Sequence, residues 1–252
     1  MAVKKAEAGT LQIDALKQGR VTLTLVGQTG FYYNAMSVKA KRSLLIGGGK
    51  KTAAEKKEIK HDPEQEFRDS VYRMMTGDTL LGFPAPGVKG AMATAALETA
   101  GVTKSSVQRL IFLPEQKIRM WGKPYLKMDV VRSADINKTP DIRTRAFLPR
   151  WVAQVDIAYT MPTLSQHAIV SLLANAGTIV GIGDFRQEKG RGSYGTFSVV
   201  GDDHGDLADY IAEIKAEGRE VQKAALDNPE CADQDTKDLM DMLDEERQRR
   251  AA

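Results

Sequence analysis

Hydrophobic and polar residues alternate with the period of a β-strand in two long segments of the chain. Residues 20–26 (RVTLTLV) and residues 151–160 (WVAQVDIAYT) each place Val, Leu, Ile or aromatic side chains at every second position. Shorter strand-like segments lie at 107–113, 125–131 and 194–200. The pattern therefore predicts strands at these five places.

Other segments carry the signals of helices. Asp62 is a good N-cap before Pro63, and an alanine-rich helix is predicted at about 88–99. Residues 163–177 begin at a Ser or Thr and end at a glycine. Beyond Gly201, two charged amphipathic helices, 206–226 and 235–250, flank the breaker DNPECAD.

The order of these elements predicts the fold. Over 20–200 it is strand, helix, two strands, helix, strand, interrupted by insertions at 27–83 and 114–150. This is the split βαβ arrangement of an α+β protein with an RRM/ferredoxin-like core. We expect two helices on one sheet face and the other face free for a ligand. Residues 1–201 would form this body and residues 202–252 a C-terminal helical appendage.

Charge is divided unevenly along the chain. The 252 residues carry 36 Lys and Arg against 33 Asp and Glu, a net charge of +3. Residues 202–252 hold 16 acidic and 7 basic residues, net −9, which leaves 29 basic and 17 acidic residues, net +12, in the body. Such a body suits a polyanionic partner, because bound Lys and Arg release counterions from phosphates. The alternative is a basic surface that only favours solubility.

Composition excludes several classes of protein. No apolar run approaches the 18 residues of a membrane span, and the N-terminus has no apolar segment of a secretory signal. Cys231 is the single cysteine, so an intramolecular disulfide and a cysteine zinc cluster are excluded. We expect a cytoplasmic protein with no membrane partner.

The insertion at about 27–60 is the most basic part of the body. Between Met36 and Lys60 there are eight basic and two acidic residues, together with the glycine run GGGKK. A segment so basic and so poor in apolar residues should be mobile unless something binds it. Its candidate phosphate contacts are Lys39, Lys41, Arg42, Lys50 and Lys51.

Two further basic segments favour nucleic acid. Arg132, Arg143 and Arg145 precede or accompany Phe147 and Trp151, and guanidinium groups grip phosphates while aromatic faces stack bases. Alternatively, both aromatic residues begin a core strand and the arginines are solvated. The glycine-rich segment 181–197 adds the cations Arg186, Lys189 and Arg191. Its glycines allow close backbone approach to phosphates, or simply form a long turn.

Catalytic signatures are missing from the sequence. GGGKKT lacks the spacing of a Walker A loop, and GIGDFR lacks the third glycine of a dinucleotide fingerprint. The three histidines form no HExxH pair. We therefore expect no enzyme, no metal and no cofactor.

Three segments resemble one known family. Gly82–Glu98, Gly181–Val199 and Arg20–Tyr32 resemble motifs of the RAMP superfamily, in particular the backbone subunit of CRISPR effector complexes and its phage-encoded relatives. The resemblance implies an RRM-like core, side-by-side assembly into a filament, and a strand gripped along its backbone. It places Lys89 at a helix start facing the nucleic acid and Arg191 in the groove, with residues 36–60 folding over the strand.

The predicted function is a non-catalytic subunit that binds single-stranded nucleic acid, RNA in preference to DNA, and multimerises along it. The alternatives are a RAMP-fold endoribonuclease using a loop aspartate such as Asp184 or Asp135, and a phage single-stranded DNA-binding or recombination accessory protein. A structural or inhibitory protein that binds a partner through its acidic tail is a further alternative. The predicted contacts are Lys39, Lys41, Arg42, Lys50, Lys51, Lys89, Arg132, Arg143, Arg145, Arg186, Lys189 and Arg191.

Overall fold

The structure is a computed structural model that describes residues 15–47, 59–132, 139–189, 192–201 and 204–251. The predicted contacts Lys50, Lys51 and Arg191 lie outside the described residues, as does Asp135, and so does the side chain of Lys189. Among the described residues, no helix is both long and apolar enough to cross a membrane.

Strands and helices are interspersed along the described part of the chain. The strands are β1 (Lys17–Gly27), β2 (Phe31–Tyr32), β3 (Tyr72–Arg73), β4 (Leu81–Pro84), β5 (Ile111–Phe112), β6 (Lys117–Trp121), β7 (Tyr125–Arg132), β8 (Pro140–Leu148), β9 (Val152–Met161) and β10 (Phe197–Val200). The helices are α1 (Val38–Ile46), α2 (Pro63–Asp69), α3 (Ala85–Ala95), α4 (Lys104–Leu110), α5 (Gln166–Ile179), α6 (Ala208–Ala216), α7 (Arg219–Asp227) and α8 (Gln234–Ala251).

The larger sheet confirms the predicted α+β class. Its described strands are antiparallel in the order β10-β1-β9-β6-β4-β3, with β5 also paired to β9. Taken with α3 and α5, the run β10-β1-β9-β6 places the fourth, first, third and second strands side by side, which is the ferredoxin-like order. Both helices share one hydrophobic cluster with the sheet, including Met92, Leu173 and Val155.

Local signals explain the second core helix. The hydroxyl of Ser165 accepts a hydrogen bond from the amide of Ala168 at 3.2 Å and caps α5. Near the other end, an added Cβ at Gly177 would collide with the carbonyl oxygen of Phe197. Glycine therefore allows α5 to lie directly against β10.

The strand predicted at 107–113 is wrong. Residues Lys104–Leu110 form a helix, because the hydroxyl of Thr103 caps it by accepting from the amide of Ser106. Only Ile111 and Phe112 are extended and pair with β9. The apolar run at 107–113 is short enough to fit the period of a helix or that of a strand, so the hydrophobic pattern alone does not distinguish the two.

The sheet face expected to be free is partly covered. Helix α6 packs Ile211 and Ile214 against Val26, Trp121 and Val152 in a second hydrophobic cluster. The single helix predicted over 206–226 is two helices, since the chain turns at residues 217–218 between α6 and α7. Helix α6 of the acidic C-terminal segment therefore buries apolar side chains against the sheet of the body.

Buried polar groups fasten these helices to the body. The side chain of Gln222 accepts from the amides of Leu80 and Leu81 at 2.8 and 2.9 Å, and it donates to the carbonyl of Met120 at 2.9 Å. Thr236 is fully buried and accepts from the amide of Met128 at 3.3 Å. Such hydrogen bonds hold α7 and α8 in a defined position on the body.

Candidate nucleic-acid interface

A smaller sheet, in the order β2-β8-β7, carries much of the predicted site. Strands β7 and β8 form an antiparallel hairpin in which Lys127 lies opposite Arg145 and Asp129 lies opposite Arg143. Since side chains alternate across a strand, these four residues share one face of the hairpin. Leu126 and alternate neighbours are buried on the other face.

Arg145 is buried rather than exposed, so its predicted contact with nucleic acid is wrong. Only 2% of its surface is accessible, and its guanidinium donates to Asp184 at 2.7 Å and to Asp129 at 2.9 Å. It also lies 4.7 Å from the ring of Tyr32 and 4.3 Å from that of Phe185. Two carboxylates and two aromatic faces surround this cation inside the protein, while its buried Nε has no hydrogen-bond partner among the described residues.

Arg145 also joins the glycine-rich loop 181–195 to the hairpin. Asp184 belongs to this loop and accepts from the side-chain amide of Asn34 at 2.9 Å as well as from Arg145. The amide of Gly195 donates to the carbonyl of Gly30 at 2.8 Å. The loop is thus held at both ends, and Asp184 is the counter-ion of a buried guanidinium.

The aromatic residues near Arg145 are mainly structural. Trp151 is fully buried and donates from its indole to the carbonyl of Thr29 at 2.8 Å, which confirms the interpretation that it belongs to the core. Phe147 contacts the ring of Tyr32 at 4.8 Å between centroids. Burial raises the pKa of Tyr32, so its hydroxyl remains protonated.

Three concavities of the surface share lining residues, and we call them together the trough. The arginine bay, about 440 Å³, is lined by residues including Asn34, Ser37, His61, Asp141 and Arg143. The central bay, about 330 Å³, is lined by residues including Tyr32, Asn34, Tyr72, Phe83, Pro84, Gly87, Gly183, Asp184 and Arg186. The proline bay, about 660 Å³, is lined by residues including Tyr72, Pro84, Pro86, Lys89, Phe112 and Lys117. Asn34 joins the first two bays, and Tyr72 and Pro84 join the last two.

Three predicted cations lie along this trough. Arg143 is exposed in the arginine bay and forms no ion pair with a described residue. Arg186, in the central bay, donates to Glu188 at 2.8 Å and to the carbonyl of Gly183 at 3.1 Å. Lys89, in the proline bay, donates to the carbonyl of Gln108 at 2.8 Å. The structure therefore brings together residues that are distant in sequence.

Helix α1 borders the arginine bay through Ser37, its N-cap, and Ala40. Its cations Lys39, Lys41 and Arg42 are exposed and have no ion-pair partner within the described ranges. They place positive charge beside the arginine bay.

Arg132 does not join this site. It is exposed at the end of β7, opposite the backbone of Pro140. Strand alternation turns it to the hairpin face opposite that of Arg143. The predicted contacts therefore do not form a single surface.

A histidine in the arginine bay carried no signal of function in the sequence. His61 lies 3.0 Å from Glu66 through Nδ1 and 3.1 Å from Asp141 through Nε2. Asp141 also accepts from Lys60, and this hydrogen bond holds the pKa of Asp141 below its usual value, with a smaller contribution from His61. Among the residues that the structure describes, no group of three His, Cys, Asp or Glu side chains is arranged to hold a metal ion.

The acidic C-terminal segment neutralises other cations of the body. Asp233 pairs with Lys127, and Glu230 pairs with Lys123 at 2.8 Å. Arg150 donates to Glu213 at 2.7 Å and to Glu217. These three basic residues are not among those that line the described trough, so this charge pairing lies outside it.

No protein-family model and no curated protein matches the sequence. Among solved structures, the crystal structure of Cmr6 from Pyrococcus furiosus superposes with a TM-score of 0.38 and 11% sequence identity, over 73% of this chain and 99% of that chain. The α+β fold assignment rests on strand order and connectivity in this chain.

Proposed function

We propose that this chain is a non-catalytic subunit that binds single-stranded nucleic acid, RNA in preference to DNA, along the trough. The observation that carries the proposal is the position of Arg143, Arg186 and Lys89 along adjoining concavities that also hold the partly exposed rings of Tyr72 and Phe83. Cations that follow a phosphate backbone, together with rings that stack bases, are typical of single-strand binding.

The two segments that resemble RAMP motifs both line the central bay. Gly87 comes from the first segment, and Gly183 and Arg186 come from the second. Gly183 has a φ of +89°, a left-handed conformation that favours glycine. An added Cβ would lie 2.6 Å from the ring of Phe83 at Gly87 and 2.7 Å from the ring of Phe31 at Gly183, so close packing within the protein requires glycine at both positions.

Self-association along the strand belongs to the same proposal. It is supported by the family resemblance, in which subunits assemble side by side. Titrating a long single strand with protein and measuring the mass of the complexes tests it. Stepwise addition of several chains per strand is expected, and one chain per strand at saturation would contradict it.

Nucleic-acid binding is tested by fluorescence anisotropy on labelled single-stranded RNA and DNA over a range of salt. We expect log K to fall by about 0.7 per neutralised phosphate for each unit of log salt.

Arg143→Ala should weaken binding to all sequences by about three- to tenfold. Arg132→Ala is the matched control, since it removes an exposed arginine from the opposite hairpin face. Salt-independent or absent binding would contradict the proposal, as would cleavage of the labelled strand.

A further inference from the structure

The proline bay has the apolar lining expected of a site for a planar aromatic group. It is the most voluminous part of the trough, about 660 Å³ against about 440 Å³ for the arginine bay. Its apolar lining comes from aromatic, aliphatic and proline side chains. These are Tyr72, Pro84, Ala85, Pro86, Phe112, Leu113 and Pro114.

We propose that the proline bay receives an unstacked nucleobase from the strand and stacks it on Phe112, an inference that rests on the proposed function. The bay adjoins the central bay, since Tyr72 and Pro84 line both. A strand whose phosphates follow Arg143 and Arg186 would therefore reach it without leaving the trough.

Phe112 is held outward by the backbone. Ile111 and Phe112 pair with β9, opposite Tyr159 and Ala158. Ile111 is 1% exposed in the core, and strand alternation turns the next side chain out, so that Phe112 is 57% exposed. An exposed aromatic ring in a concavity is available to stack on a base without a rearrangement of the core.

Positive charge lies at the rim of the bay. Lys89 donates to the carbonyl of Gln108 at 2.8 Å, and Lys117 donates to the carbonyl of Arg73 at 2.7 Å. Neither ammonium group pairs with a carboxylate of a described residue. Glu115 also lines the bay, and it is paired with Arg119 at 3.5 Å. Phosphates beside an inserted base would meet cations, while the base itself meets apolar surface.

The experiment uses the full chain and RNA oligonucleotides that carry 2-aminopurine or an abasic site at successive positions. Wild-type protein should change the 2-aminopurine fluorescence at particular positions of the bound strand. Phe112→Ala should abolish that change and weaken binding about tenfold, with an unchanged salt slope, because the lost stacking involves no counterion. An abasic site at the responsive position should weaken wild-type binding by a similar factor and leave Phe112→Ala unaffected.

Two variants serve as controls. Phe112→Tyr keeps the ring and should keep both fluorescence and affinity. Leu97→Ala removes another exposed apolar side chain, 64% exposed and outside the trough, and should change neither. The melting temperature of Phe112→Ala should stay within about 2 °C of wild type, which separates lost stacking from unfolding.

The outcomes separate this inference from the proposed function. If Phe112→Ala binds and responds like wild type while Arg143→Ala is weakened, the base site is wrong and the proposed function stands. If Phe112→Ala instead loses self-association at unchanged affinity for the strand, the bay is a protein contact and the inference is overturned. If wild type binds no strand at all, both the inference and the proposed function fail.

Discussion

Two arginines of the β7–β8 hairpin have opposite surroundings. We call the part of the hairpin around Lys127 and Arg145 the inner half, and the part around Asp141 and Arg143 the outer half. Arg145 in the inner half and Arg143 in the outer half point from the same face of one strand. Arg145 is 2% exposed and neutralised by Asp129 and Asp184, whereas Arg143 is exposed and forms no ion pair with a described residue. The surroundings of an arginine, and not its presence, decide whether it stabilises the protein or is available to a ligand.

The surroundings of the two arginines differ because different residues cover the two halves of the hairpin. Asp184 and Phe185 of the glycine-rich segment lie over the inner half together with Tyr32, and they contribute a carboxylate and two aromatic rings around Arg145. The outer half instead borders the arginine bay. Stability should therefore depend on the inner half, and strand binding on the outer half.

The largest expected effect is on folding. Arg145→Met leaves the carboxylates of Asp129 and Asp184 without their buried counter-ion, and should lower the free energy of unfolding by about 3–5 kcal/mol. Urea denaturation measures it. Arg143→Met, the matched control, should change stability by less than about 0.5 kcal/mol. Equal losses for the two variants would break the comparison.

A smaller loss of stability is expected where α8 contacts β7, the edge strand of the smaller sheet. Thr236 is fully buried, accepts from the amide of Met128 in β7, and donates to Asp233 at 2.6 Å. Thr236→Val leaves that amide unsatisfied and should cost about 1–2 kcal/mol in the same urea experiment. Strand affinity of the folded variant should remain that of wild type. Weakened binding at unchanged stability would contradict a structural role for this edge.

Much of the fold could be predicted because its signals are local. Strands β1 and β9 alternate regularly, and α5 has a Ser165 cap and a glycine near its C-terminus. The environment of Arg145 could not be predicted, since its partners Asp129 and Asp184 lie 16 and 39 residues away. A single sequence shows that arginine and aspartate are present, but it does not show which of them meet.

The candidate site could be predicted only in part, because its residues also come together from distant parts of the sequence. Glycine-containing motifs in the sequence predict Lys89 and Arg186 as contacts, and both line bays of the trough. Tyr72, Phe83 and Phe112 carried no signal in the sequence, because an aromatic residue next to a short strand is most often part of the core. Only tertiary packing exposes them in the bays.

A third prediction compares two cations of the hairpin in binding. Lys127 is in the inner half and pairs with Asp233, whose hydrogen bond raises the pKa of Lys127 against the opposing effect of burial. Lys127→Gln should leave the salt dependence of strand binding unchanged. Arg143→Gln should lower the slope of log K against log salt by about 0.7, the value for one phosphate contact. Anisotropy titrations at several salt concentrations measure both slopes. Equal slopes for the two variants would contradict the division between a stabilising inner half and a strand-binding outer half.

The smallest expected effect is a pH dependence in the outer half. The hydrogen bond from Lys60 lowers the pKa of Asp141 below its ordinary value of 3.8. A carboxyl group with a lowered pKa in the folded protein stabilises it above pH 3.8, and this contribution disappears as pH falls through the folded pKa. Asp141→Asn should therefore be less stable than wild type at pH 6, by no more than about 0.5 kcal/mol because the pair is solvent-screened, and the difference should become smaller at pH 3, below the ordinary pKa. Urea denaturation at both pH values measures it. A difference that is as large at pH 3 as at pH 6 would mean that Asp141 acts through neutral hydrogen bonds, and that structural contacts fix the outer half as they fix the inner half.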